Sequence, residues 1–217
     1  MAASFLSAFF LSLALTPLFM ALACRLKVLD QPDNGKVHCQ PLPLLGGVAI
    51  YLSFMMIMLF SLKNLSSQYR LLMLSATIIF GAGLMDDIKP ASAVTRLVIQ
   101  AIAALILIAG GISFTFLPDT IIGKVGEFTL TLLWIVGITN AFNYLDGLDG
   151  LLSGAAIINA TFFFGFTYFT GQMALGYVLM AFIGACAGFF PYNFFLGRVF
   201  MGNSGSSWIG FMLAGLA

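Results

Sequence analysis

An all-α bundle of helices crossing a lipid bilayer is the fold this sequence predicts, on three observations. Of its 217 residues, 61% are hydrophobic and only 8% charged, where a soluble domain carries roughly 25% charged residues. Apolar stretches recur at about 15–22 residues, the length a spanning helix needs. They lack the alternation of a membrane β-barrel strand. The formal net charge of +1 gives no reason to expect a nucleic-acid partner. Cys24, Cys39 and Cys186 form no CxxC pair and share the chain with one histidine, which excludes a recognisable zinc site or disulfide framework.

The apolar segments fall at about 3–24, 45–62, 70–85, 94–112, 128–145, 151–169, 173–192 and 204–217, seven spans and the start of an eighth. The first reads as a retained helix, because its basic residue, Arg25, follows the apolar run instead of preceding it as in a signal peptide. Alternating the spans places Arg25, Lys27, Lys36, Lys89, Arg96 and Arg198 on one side and Lys63, Arg70 and Lys124 on the other. The excess of basic residues makes the first side cytoplasmic and puts the N-terminus outside. Asp30, Asp33, Asp86, Asp87, Asp146 and Asp149 share the cytoplasmic face, leaving only Asp119 and Glu127 opposite. Chemistry is therefore expected in the cytoplasmic loops, at about 25–44, 86–93, 146–150 and 193–203, of a single domain covering 1–217.

Four polar clusters lie on that face. The first connection, Leu29 to Gly47, is dense in turn formers; Lys36 and His38 can meet an anion, or simply obey the charge rule of a surface loop. Asp86-Asp87, ending a helix before Pro90, suits a hard divalent cation that keeps waters and takes one or two carboxylates plus phosphate oxygens. A solvated helix end is the plainer alternative. Arg96 and Gln100, one turn apart on the following helix, can face the same pocket or serve as interfacial anchors. In the third cluster, Asn140, Asn143, Asp146 and Asp149 are spaced by threes. Nine residues at about 100° each leave the two ends half a turn out of phase. The expectation is a helix that breaks near Gly147, with Asp149 capping the next helix at Gly150 and with Asn140, Asn143 and Asp146 lining a cavity. Two asparagines inside an apolar run are costly in lipid without a role. The fourth cluster, Asn193 to Ser206, contains Gly202-Asn203-Ser204-Gly205-Ser206, which reads as a backbone N–H nest for phosphate or as a capped turn.

Taken in order, Asp30-x-Pro32, His38, Pro43, Gly46-Gly47, Asp86-Asp87, Arg96, Gln100, Asn140-x-x-Asn143-x-x-Asp146-Gly147-x-Asp149-Gly150, Asn193 and Met201-Gly202-Asn203-Ser204-Gly205-Ser206 form one pattern. It resembles that of the bacterial polyprenyl-phosphate N-acetylhexosamine-1-phosphate transferases, and more distantly the phospho-MurNAc-pentapeptide transferases. The resemblance implies transfer of an N-acetylhexosamine 1-phosphate, GlcNAc 1-phosphate first, from a UDP-sugar to undecaprenyl phosphate. UMP is released, at the first membrane step of cell-envelope polysaccharide synthesis in the bacterial inner membrane. It also implies Mg²⁺, with Mn²⁺ as a substitute, and admits a homodimer. Asp86, Asp87 and Asp146 become candidate catalytic residues, and Asp87, Asp146 and Asn203 candidate metal ligands. Lys36, His38, Arg96, Asn140, Asn143, Asp149 and Asn193 become candidate substrate contacts. Which aspartate is base and which is ligand stays open.

Two departures from the family pattern stand out. Asn203 occupies the position where the family has an aspartate that ligates metal, so one formal charge is gone. The final apolar segment holds about 14 residues, short of the roughly 20 that span a bilayer, and the family's histidine-rich loop has no counterpart. A fragment of a longer chain is therefore expected. An inactive relative, or a transporter using its intramembrane polar groups, are the competing functions.

Overall fold

The computed structural model describes residues 1–32, 40–61, 66–195 and 197–217, without the side chain of residue 61. Eight α-helices appear among them: α1 (Ala2–Leu26), α2 (Gly46–Ser61), α3 (Ser67–Ile88), α4 (Ala93–Ala109), α5 (Ile121–Leu145), α6 (Leu151–Thr170), α7 (Met173–Phe190) and α8 (Gly202–Leu216). Each coincides with one apolar segment of the sequence. In lipid the backbone must satisfy its own hydrogen bonds, and only a helix does so within one segment. The largest discrepancy is α5, which begins at Ile121, ahead of residue 128. Lys124 and Glu127 interrupt the hydropathy there, yet Thr120 starts the helix by accepting from the Gly123 N–H at 3.1 Å.

Five helices are long and apolar enough to cross a membrane (α1, α3, α5, α6 and α7), while α2 and α4 are shorter apolar helices. Large apolar side chains such as Phe10, Leu133, Ile158 and Phe162 point outward, as a lipid-facing surface requires.

The core is organised around α8, which packs on α2, α3, α5 and α6. That helix is buried along nearly its whole length, as suits one whose first turns carry Asn203, Ser204, Ser206 and Ser207, polar groups that are costly against lipid. Trp208 is fully buried, with Phe54 and Phe182 at centroid distances of 5.3 and 5.7 Å and Tyr51 edge-on at 5.7 Å. Small residues let the backbones meet: Gly47 of α2 and Gly205 of α8 are so close that a Cβ on either would strike the other's backbone.

A two-stranded antiparallel ribbon, β1 (Leu29–Asp30) with β2 (Leu42–Pro43), ties the two ends of the first connection together, pairing Leu29 with Pro43 and Asp30 with Leu42. It is laced to the entry of α8: Phe200 N donates to Pro43 O (3.0 Å), Gly46 N to Phe200 O (3.1 Å) and Gly47 N to Met201 O (2.9 Å). The ribbon thus holds Asp30 and the α8 N-terminus at one end of the bundle.

Candidate active site

A cavity of about 670 Å³ opens at that end. Asp86 and Asp87 reach it from the end of α3, Arg96 from α4, and Asp146 and Gly147 from the turn after α5. Gly202 and Asn203 open α8 into it, and Lys27 and Asp30 complete the wall. Residues 120 positions and more apart in the sequence meet here because α1, α3 and α5 end, and α8 begins, on the same side.

The first N–H groups of a helix have no partner inside it. At α8 they are taken by carboxylates from two other helix ends. Asp146 Oδ1 and Oδ2 accept from Met201 N (3.4 Å) and Gly202 N (2.8 Å). Asp87 Oδ1 and Oδ2 accept from Asn203 N (2.6 Å) and Ser204 N (3.0 Å). Both anions also sit at the positive end of the α8 dipole. This corrects the expectation of a backbone nest open to phosphate: its donors are committed to the protein's own aspartates. Gly202 makes the approach feasible. Its φ is 73°, and a Cβ there would stand 2.6 Å from Asp87 Oδ2 and 2.5 Å from Leu44 O.

Burial pushes the Asp146 carboxyl well above the usual carboxylate range, the Met201 and Gly202 N–H groups pull it back, and the nearby Asp87 and Asp30 charges raise it further. Part of Asp146 is open to the cavity, so protein volume around it, rather than complete sealing, causes the shift. Each carboxylate oxygen has a second lone-pair direction beyond the one its N–H occupies. The pair therefore fits Mg²⁺ or Mn²⁺ with its shell completed by water and phosphate oxygens. Among the described residues no group of three or more His, Cys, Asp or Glu is gathered to hold a metal unaided, which is compatible with such partial coordination.

Asp86 and Arg96 form the adjoining wall. Asp86 is buried; its Oδ1 accepts from Ala91 N at 2.6 Å, and its Oδ2 lies 3.5 Å from Arg96 Nη1. The Arg96 charge is thus partly answered by Asp86 before any ligand arrives.

The helix does break where the phase argument places it: α5 ends at Leu145 and α6 starts at Leu151. Two expectations about this stretch are corrected. Gly150, at φ 72°, caps α6 instead of Asp149, with no side-chain cap. The chain needs positive φ to leave the turn, which glycine adopts without strain. Asn140 and Asn143 turn sideways into helix packing and do not line the cavity. Asn140 Nδ2 donates to Gln100 Oε1 (2.5 Å) and Val136 O (2.8 Å), joining α5 to α4. Asn143 Nδ2 donates to Asn203 Oδ1 (2.9 Å), Ser206 Oγ (2.8 Å) and Ser207 Oγ (3.1 Å), joining α5 to α8.

Asp149 is exposed, beside Gly197 and off the cavity wall. Asn193 is also off it, 2% exposed in a π-helical turn at Pro191–Phe195. It accepts from Gly150 N (2.9 Å) and Ser153 Oγ (3.1 Å) and donates to Val199 O (2.8 Å), a clamp between the start of α6 and the approach to α8. Lys36 and His38 lie outside the described residues.

Lys27 is the contact the sequence reading missed. It lines the cavity at the end of α1 with φ 58°, the one non-glycine residue at positive φ among those described. Its side chain has no ion-pair partner among them. In the sequence it looks like one more basic residue of a cytoplasmic loop.

The family model described as glycosyl transferase family 4 matches residues 69–217, well over half of the sequence. The chain belongs to that family. This family 4 chain is 31% identical over 207 residues to a probable undecaprenyl-phosphate N-acetylglucosaminyl 1-phosphate transferase of Bacillus subtilis, covering 93% of the chain and 58% of that protein. It is 33% identical over 216 residues to a decaprenyl-phosphate N-acetylglucosaminephosphotransferase of Mycobacterium tuberculosis, covering 89% and 54%. A phospho-N-acetylmuramoyl-pentapeptide-transferase of Bacillus mycoides is 33% identical over 236 residues, covering 97% and 72%. The family 4 chain thus spans a little over half the length of the first two relatives.

Proposed function

We propose that this chain transfers N-acetylhexosamine 1-phosphate, GlcNAc 1-phosphate first, from a UDP-sugar to undecaprenyl phosphate at the cytoplasmic face of the bacterial inner membrane. The observation that carries the reading is the convergence of Asp87 and Asp146 on the α8 N-terminus. Among the described residues the cavity lining has four carboxylates, Asp30, Asp86, Asp87 and Asp146, and two cations, Lys27 and Arg96. Such a cavity repels a pyrophosphate and a lipid phosphate unless a divalent cation enters with them.

In the reaction, an oxygen of the lipid phosphate attacks the β-phosphorus of the UDP-sugar. A new pyrophosphate linkage forms as the bond from that phosphorus to the bridging oxygen breaks, and UMP leaves with the bond's electron pair. Mg²⁺ held by Asp87 and Asp146 would neutralise charge on the transferring group. Lys27 meets an anionic oxygen at the cavity rim, and Arg96 does so once it shifts from Asp86. Asp86, at the same wall, is the candidate to hold any proton carried in by the acceptor.

The test uses membranes containing the protein, UDP-GlcNAc labelled in the sugar, undecaprenyl phosphate and Mg²⁺. Label is expected in a lipid-linked product together with UMP, and neither Asp87→Ala nor Asp146→Ala yields product. A turnover-deficient member instead binds both substrates without product and gains product on Asn203→Asp. Absence of both binding and product in the native chain and in Asn203→Asp sinks the proposal.

A further inference from the structure

Asn203 stands at the mouth of α8, where a side-chain oxygen would ligate a cation and a side-chain nitrogen can only donate to an anion. Which end meets the cavity is decided by its neighbours. Ser206 Oγ lies 2.8 Å from Gly202 O, and a carbonyl only accepts, so the one serine hydrogen is committed there. Toward Asn143, 2.8 Å away, Ser206 Oγ is then an acceptor, which turns the Asn143 nitrogen to it. The same nitrogen is 2.9 Å from the Asn203 side chain, so the atom Asn203 sets against it is Oδ1. Asn203 Nδ2 is left with no partner among the described residues and is not sealed from solvent. Asn203 borders both the main cavity and the smaller one beside it, between α3, α4 and α8.

We infer that Asn203 is a hydrogen-bond donor to a phosphoryl oxygen of the bound substrate, and that the divalent cation is held by Asp87 and Asp146 without it. The inference rests on the transferase reading for the identity of the substrate. Rotating the amide to offer Oδ1 to a metal would set Nδ2 against the Asn143 nitrogen, donor against donor. The ligating pose thus loses a hydrogen bond as it gains a contact. A neutral donor at this point adds no negative charge to the acidic lining, as another carboxylate would.

The experiment measures Mn²⁺ binding by the loss of its free-ion spin resonance signal, and inorganic pyrophosphate binding at saturating Mn²⁺, on the purified full chain in detergent. Asn203→Ala is expected to leave the Mn²⁺ Kd within about twofold and to weaken pyrophosphate about tenfold, the loss of one charge-assisted hydrogen bond. Asn203→Asp, with one oxygen on Asn143 and the other in the cavity, is expected to tighten Mn²⁺ at least tenfold. Asp87→Asn, which removes a proposed ligand, reports the size of a true ligand loss, and a single cooperative thermal transition shows that each variant is folded. A tenfold weaker Mn²⁺ Kd in folded Asn203→Ala, with pyrophosphate binding unchanged at saturating Mn²⁺, overturns the inference. Failure of the lipid-linked transfer assay with these binding results intact would overturn the transferase reading and leave the role of Asn203 standing.

Discussion

Replacing Gly202 with alanine tests whether the carboxylate-capped α8 N-terminus is the centre of this protein. Two costs follow from the geometry. Gly202 has φ 73°, and a residue with a Cβ in the left-handed region costs about 1–2 kcal/mol. The new Cβ would lie 2.6 Å from Asp87 Oδ2 and 2.5 Å from Leu44 O. Leu44 O is backbone in the laced segment leading into α2, so Asp87 is the group that moves. Displacing it weakens the bonds to Asn203 N and Ser204 N, and one hydrogen bond to a charged group is worth about 1.5–3 kcal/mol. The sum is roughly 3–5 kcal/mol. At about 2–4 °C per kcal/mol for a chain of this size, the melting temperature falls by roughly 6–20 °C. Trp208, fully buried at the centre of the bundle, reports the transition by its fluorescence in detergent. Gly137→Ala is the control, because a Cβ there meets nothing within 4 Å and helix propensity favours alanine by about 1 kcal/mol. Mn²⁺ affinity should fall at least tenfold in Gly202→Ala alone. A Gly202→Ala protein that melts within about 2 °C of the native chain and binds Mn²⁺ normally refutes the reasoning.

Other perturbations separate scaffold from chemistry. Asn193→Ala strands the Gly150 N–H and the Val199 carbonyl, at about 1–3 kcal/mol for each buried group left unpaired; the melting temperature should fall while the KM for UDP-sugar in the proposed transfer stays put. In the proposed metal role of Asp146, its raised pKa means that the ion displaces a proton. Apparent Mn²⁺ affinity should therefore climb with pH from the ordinary carboxylate range up to the folded-state value and then level off. The same shift makes the metal-free fold lose stability as pH rises through that window, because the folded state there binds more protons than the unfolded one. Titrations of Mn²⁺ and of thermal stability against pH check both signs. Lys27→Ala should raise the KM for the anionic substrates severalfold and flatten its dependence on salt, measured by the transfer assay at two ionic strengths.

The division between what was legible in the sequence and what was not follows the range of the interactions. Hydropathy acts on each segment by itself, so all eight helices could be read from it, and the break after Leu145 followed from helical phase alone. Even Asn143 and Asp146 were recognisable as costly residues that need a reason to be there. The reasons themselves are long-range. Asp87 meets the Asn203 N–H across 116 positions, Asn143 meets Asn203 across 60, and Asn193 meets Gly150 across 43. No local spacing encodes such partners. That is why the turn at Gly202–Ser206 read as a phosphate nest or a capped turn when two aspartates already fill it, and why Asn140 and Asn143 read as cavity lining when they join helix to helix. By itself the sequence determined the membrane bundle and gathered the chemical residues at one face. Only tertiary packing decided which of them face the cavity and which are spent on holding it, because a hydrogen-bonding group can serve a ligand only with the hydrogen or lone pair that neighbouring helices leave unused.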